Sequence, residues 1–286
     1  MDKRVWLITG CSTGFGRELV RIVAANGEIA LGTVRKKEQI GDLELINPDL
    51  VKGIVLDVQN QQSIDEAAAM IEAKYGQLDV LVNNAGYGSM GSIEETEEAE
   101  IQRQFDVNVF GCVRMMKLAL PFMRRQKSGN ILNITSIAGL KGFPGVGIYN
   151  GSKFALEGIG EALAAETRHI GIHVTNIEPG PFRTDWAGRS ATFNESQIDE
   201  YKDTAKKNME SIQGVSGSQV GDPKKAAQAM FDVTKLEKPP VHLPLGGPAY
   251  QRVGITLDEM KEEIAKYEYL GRPTDFSQEE LDQMGK

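Results

Sequence analysis

The sequence predicts an α/β fold in which a doubly wound parallel sheet carries helices on both faces. Short β-branched runs alternate with longer segments of helical period as far as about residue 245, which indicates repeated β–α–β units. A glycine-rich turn also joins the first of these runs to the first helical segment. With 286 residues and 41% hydrophobic side chains, the chain has enough apolar material for a sizeable core. We expect one domain over residues 1–249 and a C-terminal helical tail over residues 250–286.

Seven short segments have the composition of strands, and four longer segments place apolar residues at helical spacing. The strand candidates are residues 4–9, 28–34, 53–57, 78–82, 130–135, 172–177 and 240–244. The helix candidates are residues 16–26, 63–75, 97–125 and 152–169. Residues 185–220 interrupt the alternation with a long polar stretch, which is typical of a lid or of a disordered loop. We expect a lid.

Charge and hydrophobicity exclude several classes of partner. The formal net charge is -8, so the phosphate backbone of a nucleic acid would be repelled. No apolar run reaches the ~18 residues that a membrane-spanning helix needs, and the N-terminus has no signal-peptide core. We expect a soluble, cytoplasmic protein that binds neither nucleic acid nor membranes.

The cysteines and histidines show no pattern that predicts a disulfide or a metal site. Cys11 and Cys112 lie far apart and lack the spacing of metal ligands. The three histidines, at positions 169, 173 and 242, form no HExxH motif. We predict reduced, packed cysteines, surface or structural histidines, and no bound metal.

The glycine-rich turn reads Thr-Gly-Cys-Ser-Thr-Gly-Phe-Gly over residues 9–16 and precedes the first helix directly. Free backbone N–H groups and the helix dipole at such a turn stabilise a pyrophosphate, and glycines let the backbone approach it. A glycine triplet alone is a weak signal, but its place after the first strand favours a dinucleotide site. The predicted contacts are Gly10, Ser12, Thr13, Gly14, Phe15 and Gly16.

The end of the second strand indicates which dinucleotide binds. A site for NAD presents Asp or Glu to the ribose some ~20 residues beyond the glycines, whereas this chain has Val34-Arg35-Lys36 there. A carboxylate would repel the additional phosphate of NADP, but the planar guanidinium of Arg35 can bind it. The alternative is a solvated basic loop. We favour NADP(H) as the cofactor, with Arg35 as the phosphate ligand.

Tyr149 and Lys153 lie four residues apart, so they project from the same face of a helix. By itself this spacing arises by chance in many proteins. Two other residues, earlier in the sequence, strengthen the signal. Ser136 follows the strand candidate 130–135, and Asn108 lies within the helix candidate 97–125.

Three motifs of this chain resemble those of the short-chain dehydrogenase/reductase family and come in the same order. They are the glycine motif TGxxxGxG, the sequence Asn-Asn-Ala-Gly over residues 83–86 and the YxxxK pair. The resemblance covers residues 4–245 and implies a Rossmann fold with an Asn108, Ser136, Tyr149 and Lys153 tetrad. It also implies a homodimer or homotetramer formed through helices 97–125 and 152–169, with contact positions such as Phe105, Val109, Phe154 and Leu163. Further implied cofactor contacts are Asp57, Val58, Asn84, Ala85, Gly86, Tyr149, Lys153, Pro179, Gly180 and Thr184.

The resemblance gives each tetrad residue a role in moving a hydride between nicotinamide and a carbonyl or alcohol carbon. Tyr149 is the acid/base, and Lys153 lowers the phenol pKa from its usual value of about 10 and binds the nicotinamide ribose. Ser136 holds the substrate oxygen. Asn108 carries a water that links Lys153 to solvent.

Apolar residues beside these motifs predict a mainly apolar substrate, a ketone, aldehyde or alcohol. The expected pocket walls are Tyr87, Ile137, Leu140, Phe143, Val146, Phe182 and Trp186. Lys141 is a nearby cation, to which we assign little weight as a ligand for a substrate carboxylate. The alternative function is a catalytically silent NADP-binding regulator on the same fold, because function belongs to the site and not to the fold.

Overall fold

A computed structural model describes residues 3–188, 190–194 and 196–285. It confirms the predicted α/β class, with seven parallel strands in the order β3-β2-β1-β4-β6-β7-β9. The strands are β1 Val5–Ile8, β2 Ile29–Val34, β3 Val51–Val55, β4 Val80–Asn83, β5 Gly88–Met90, β6 Gly129–Ile134, β7 Ile172–Pro179, β8 Ala191–Phe193 and β9 His242–Leu245.

The strand order reverses between β1 and β4, because β2 and β3 lie on one side of β1 and the later strands lie on the other. In open α/β sheets the crevice outside the carboxyl ends of the strands at such a switch point is where ligands bind. Of the predicted tetrad, Ser136 follows one of these strand ends, and Tyr149 and Lys153 face them. Apart from Asn108, the sheet topology therefore brings the candidate site residues together.

Helices cover both faces of the sheet and form two apolar cores. One core joins the sheet to α3, α5 and α6, and the other joins it to α1, α2 and α8. Trp6 of β1 is fully buried in the second core, where its ring stacks on Phe231 at 5.4 Å between centroids. The α-helices are α1 Gly14–Ala25, α2 Ile40–Glu44, α3 Gln61–Lys74, α4 Glu98–Phe105, α5 Gly111–Gln126, α6 Gly147–Thr167, α7 Lys207–Gly214, α8 Pro223–Val233, α9 Gly247–Lys266, α10 Glu268–Gly271 and α11 Gln278–Gln283.

The predicted helix 97–125 is wrong as a single α-helix. It consists of α4, one π-helical segment Asp106–Phe110, and α5. The predicted helix 152–169 begins earlier, at Gly147, so Tyr149 lies in its first turn. The third strand ends at Val55, two residues before the predicted end at Asp57.

The long segment 185–220 carries more structure than its polar composition indicates. Strand β8 pairs with β5 in a separate two-stranded parallel sheet, and α7 follows it. Between them, Asp199–Tyr201 form a 3-10 turn and Lys202–Lys206 a π-helical turn. Residues 189 and 195 of the predicted lid lie outside the described residues.

The C-terminal tail is helical, as expected, and lies largely in solvent. Within α9 only Ala249 and Thr256 are buried, whereas Leu257 and Ile264 are exposed. Across residues 3–188, 190–194 and 196–285, no helix has both the length and the apolar content needed to span a bilayer.

Candidate active site

The glycine-rich turn after β1 lies tightly against the turn after β4. Gly10 has a φ of +71°, and a Cβ there would lie 2.9 Å from the Cα of Ala85. A Cβ at Gly16 would lie 2.6 Å from the Nδ2 of Asn84. Side chains larger than hydrogen would therefore separate the two turns, which explains the glycines in physical terms.

Asn84 supports the glycine turn directly. Its Nδ2 donates to the carbonyl oxygens of Thr9 at 2.8 Å and Gly10 at 3.0 Å. In return, the buried Thr9 Oγ1 accepts from the backbone N–H groups of Asn84 and Ala85, both at 2.9 Å. These bonds fix the turn beside the N-terminus of α1, where helix N–H groups remain available to an anion.

A cavity of about 740 Å³ runs along the carboxyl ends of the strands. Gly16 and Asn108 of the predicted site lie outside its lining: Gly16 packs against Gly10 and Asn84, and Asn108 is buried. The predicted site residues that line it are Gly10, Ser12, Thr13, Gly14, Phe15, Arg35, Asp57, Val58, Asn84, Ala85, Gly86, Ser136, Tyr149, Lys153, Pro179, Gly180 and Thr184.

One end of the cavity is basic and open. Arg35 is exposed immediately after β2, and it makes no hydrogen bond or ion pair with any described residue. Lys36 also lines this end. Val34 also lines the cavity, but it is only 2% exposed and packs in the apolar core. Further along, Asp57 accepts a bond from the backbone N–H of Gln59 at 3.0 Å, which orients its carboxylate.

Tyr149 lies at the closed end, where its side chain is only 6% exposed and its ring lies 5.0 Å from that of Trp186. Burial raises the pKa of its phenol, and a hydrogen bond with Ser136 opposes that rise. Ser136 is oriented in turn, since its Oγ accepts from the N–H of Ala138 at 3.1 Å. The phenol therefore holds its proton at neutral pH.

Lys153 lies one turn further along α6 and is also buried. Its Nζ donates to the carbonyl oxygen of Ile134 at 2.7 Å and lies 5.7 Å from the centre of the Tyr149 ring. Burial lowers the pKa of this ammonium, and the charges of Cys112 and Glu157 oppose that effect. Burial and Ser136 are the influences found on the Tyr149 pKa, so the lowering expected from Lys153 stays a prediction.

Asn108 lies in the π-helical segment between α4 and α5. Its Oδ1 accepts from the N–H of Tyr87 at 3.1 Å, and its Nδ2 donates to the carbonyl oxygen of Tyr87 at 2.9 Å. A Cβ at Gly86 would lie 3.1 Å from that Oδ1 and 3.9 Å from the Nζ of Lys153. A side chain at Gly86 would therefore press against Asn108 and touch Lys153. π-Helical turns of this kind are frequent at functional sites.

The region beside Tyr149 is walled by apolar side chains. Of the predicted walls, Leu140 does not line the cavity. The nearby cation Lys141 forms an ion pair with Glu259 of α9 at 2.8 Å. The predicted walls Tyr87, Ile137, Phe143, Val146, Phe182 and Trp186 all line it. Sequence reasoning missed the lining residues Arg103, Asn208, Ile212, Val215 and Gln219, which no motif marks.

Comparison with known proteins places the chain in a family. The model of the short chain dehydrogenase family matches residues 4–195. The 3-ketodihydrosphingosine reductase of Bacteroides thetaiotaomicron is 36% identical over 248 residues, which are 86% of this chain and 89% of that protein.

Two solved structures extend this likeness to the fold. A short-chain dehydrogenase from Streptomyces avermitilis shares 40% identity and a TM-score of 0.90, covering 96% of this chain and 99% of its own. The structure of ElxO with NADP bound shares 26% identity and a TM-score of 0.72, covering 87% of this chain and 100% of its own. The chain belongs to the short-chain dehydrogenase family, and it is an oxidoreductase of the kind that uses a nicotinamide cofactor.

Proposed function

We propose that the chain is an NADP(H)-dependent oxidoreductase that interconverts a carbonyl and an alcohol on a mainly apolar small molecule. The observation that carries the proposal is one continuous cavity. Arg35 on its basic rim, the glycine turn, and the group Ser136, Tyr149 and Lys153 all line it. The close fit of the glycine turn against Ala85 leaves a cradle that suits a pyrophosphate.

The bound cofactor supplies the hydride, and the chain supplies orientation and proton transfer. In the direction of reduction, the buried phenol of Tyr149 donates its proton to the substrate oxygen, which Ser136 also holds. Lys153 binds the nicotinamide ribose and offsets the negative charge that Tyr149 then carries. Asn108, next to Lys153 across Gly86, carries the water that returns a proton from solvent. Gly16 and Asn84 hold the glycine turn. The residues that contact the cofactor are Gly10, Ser12, Thr13, Gly14, Phe15, Asp57, Val58, Ala85, Pro179, Gly180 and Thr184.

The apolar walls beside Tyr149 favour a ketone with a substantial apolar part. The name of the Bacteroides relative points to the same class, a ketone on a long aliphatic chain. The rate of NADPH oxidation, followed by absorbance, with long-chain ketones, short ketones and aldehydes tests the proposal. Turnover with an apolar ketone supports it. Tight NADPH binding without turnover of any of these would favour the silent regulator instead.

We further propose that residues 185–220 act as a lid over the substrate. Glu95 anchors this segment to the body of the domain. Its carboxylate accepts from the Oγ of Ser196 at 2.9 Å and from the backbone N–H groups of Gln197 at 2.6 Å and Ile198 at 3.1 Å. Trp186, at the start of the segment, contacts Tyr149 at the far end of the cavity.

Glu95→Ala is expected to loosen the lid, because three hydrogen-bond donors lose one common acceptor. We expect proteolysis within residues 185–220 to accelerate roughly tenfold, with little change in Tm. The exposed Glu97→Ala is the matched control.

Hydrogen bonds, first that from Ser92, lower the pKa of Glu95 to about 2, so the anchor is intact at neutral pH and is lost as pH falls toward that value. Equal proteolysis of Glu95→Ala and wild type would contradict this anchoring.

We propose that the chain forms a homodimer or homotetramer through α4, α5 and α6. Two of the positions expected at the contact, Val109 and Leu163, are buried within the chain and are wrong as interface residues. Phe110 and Phe154 remain 54% and 44% exposed, which suits a contact between copies. Light scattering is expected to give two or four chain masses for the wild type, and a smaller mass for Phe154→Lys. A single-chain mass for the wild type would contradict the proposal.

A further inference from the structure

A second polar cluster lies outside the cavity, where α6, β7 and β9 meet. It contains Glu157 of α6, Glu178 of β7 and His242 of β9. One potential ligand atom from each of the three side chains lies within 4.8 Å of the other two. The proposed oxidoreductase function uses none of these residues, so the cluster calls for its own explanation.

Two carboxylates are buried here without enough partners. The side chains of Glu157 and Glu178 are 4% and 0% exposed, and among the described residues neither Oε1 of Glu157 nor Oε2 of Glu178 has a hydrogen-bond partner. An isolated buried carboxylate is costly, and two close together also repel each other. The pair needs a counter-charge.

The ring of His242 lies among three carboxylates, and its Nδ1 forms a hydrogen bond with Glu178. Its Nδ1 lies 2.7 Å from Oε1 of Glu178 and 3.6 Å from Oε2 of Glu157. Its Nε2, on the other side of the ring, lies 3.5 Å from Oε1 of Glu161. In metal sites the second ring nitrogen of a histidine ligand commonly donates to a carboxylate, which fixes the tautomer and turns the lone pair toward the metal.

We propose that Glu157, Glu178 and His242 bind one divalent transition-metal ion, of which Zn²⁺ is the best match. Imidazole nitrogen and carboxylate oxygen are ligands that Zn²⁺ accepts, and three protein ligands leave a fourth position for solvent. The ion would neutralise the two buried carboxylates. The side chain of His242 is 43% exposed, which gives the ion a path from solvent.

The surroundings hold the ligands in place. Nδ2 of Asn176 donates to Oε2 of Glu157 at 2.6 Å, and Asn133 donates to Oδ1 of Asn176 at 3.0 Å. Hydrogen-bonded carboxylates of this kind are typical around metal sites. The ion would tie α6 to two strands, one turn beyond Lys153 and next to Pro179. Its role is therefore to position these elements, and it takes no part in hydride transfer.

The test uses the full, tag-free chain, freed of metal by a chelator and then equilibrated with Zn²⁺. We expect one Zn²⁺ per chain by elemental analysis after desalting, and a Tm that rises by about 5 °C or more at a hundredfold excess over Kd. His242→Ala is expected to lose the ion, and the exposed His169→Ala is the matched control. The cysteines do not compete, because both are buried.

If His242→Ala fails to fold, Glu161→Gln gives a second readout. Glu161 is exposed and lies beside Nε2 of His242, on the side of the imidazole ring away from Nδ1. We expect it to weaken Zn²⁺ binding by about tenfold to a hundredfold while keeping one ion per chain. No retained Zn²⁺, with a Tm that neither chelator nor Zn²⁺ changes, would overturn the proposal. Equal Zn²⁺ binding by wild type and His242→Ala would overturn it as well.

Discussion

Tyr149→Phe is expected to lower kcat on the order of 10²- to 10⁴-fold, a loss of about 3–5 kcal/mol of transition-state stabilisation, while NADPH still binds. The substitution removes only the hydroxyl from a ring that stays packed against Trp186. Because burial raises the pKa of that hydroxyl, it is protonated and ready to donate at neutral pH. Steady-state kinetics and NADPH fluorescence titration measure the two effects separately.

Tyr250→Phe is the matched control, because Tyr250 is an exposed tyrosine of the tail. It loses the same atom outside the cavity lining and is expected to keep wild-type kcat. If Tyr149→Phe kept more than a small fraction of the activity, the proton would come from another group. If instead Tyr149→Phe lost NADPH binding, the hydroxyl would serve the cofactor and not the proton transfer.

The sheet and the glycine turn were predictable because their signals are local. A buried parallel strand appears as a continuous apolar run, and each of the seven runs became a strand of the central sheet. Gly10 and Gly16 were predictable for the same reason, since their small size is required by turns that directly follow β1 and β4. Strand ends were less certain: β3 starts and ends two residues before its predicted bounds.

The elements that were missed depend on contacts between distant residues. Strands β5 and β8 have three residues each and pair across about a hundred positions, so neither has a periodic signal of its own. The π-helical turn at Asn108 reads as ordinary helix in sequence. Its extra residue per turn follows from packing against Tyr87 and Ser152.

Side-chain environment also lay beyond sequence reasoning. Lys153 was expected on the same helix face as Tyr149, but the bond of its ammonium to the carbonyl of Ile134 was not predictable, because a backbone group has no sequence signature. His242 was interpreted as a surface or structural histidine because no ligand lies near it in sequence. Its carboxylate neighbours come from α6 and β7, 85 and 64 positions away.

Arg35 is expected to give the wild type a preference for NADPH over NADH of on the order of tenfold to a thousandfold in kcat/KM. A guanidinium–phosphate pair forms two charge-assisted hydrogen bonds, and solvent at the open rim reduces their net effect to about 1.5–4 kcal/mol. Arg35 has no ion-pair or hydrogen-bond partner among the described residues, so it is free to make this contact. Arg35→Ala is expected to erase most of the preference by weakening NADPH alone.

Reversal of the preference needs a carboxylate, and its position matters. Val34→Asp would place that charge at a position that lines the cavity but is only 2% exposed and packs in the apolar core, so it would cost stability. Arg35→Glu places it on the exposed rim, where it repels the phosphate of NADP and can bond the ribose hydroxyls of NAD. We therefore expect Arg35→Glu to favour NADH with an unchanged Tm.

Lys37→Ala is the matched control for charge, because Lys37 is exposed two residues away and does not line the cavity. It removes one positive charge from the same loop and is expected to keep the preference of the wild type. Kinetics with both cofactors at fixed ionic strength measure all four proteins, since screening by salt weakens rim charges. A wild type that uses NADH as well as NADPH, or equal selectivity in Arg35→Ala and Lys37→Ala, would show that the phosphate does not bind at Arg35.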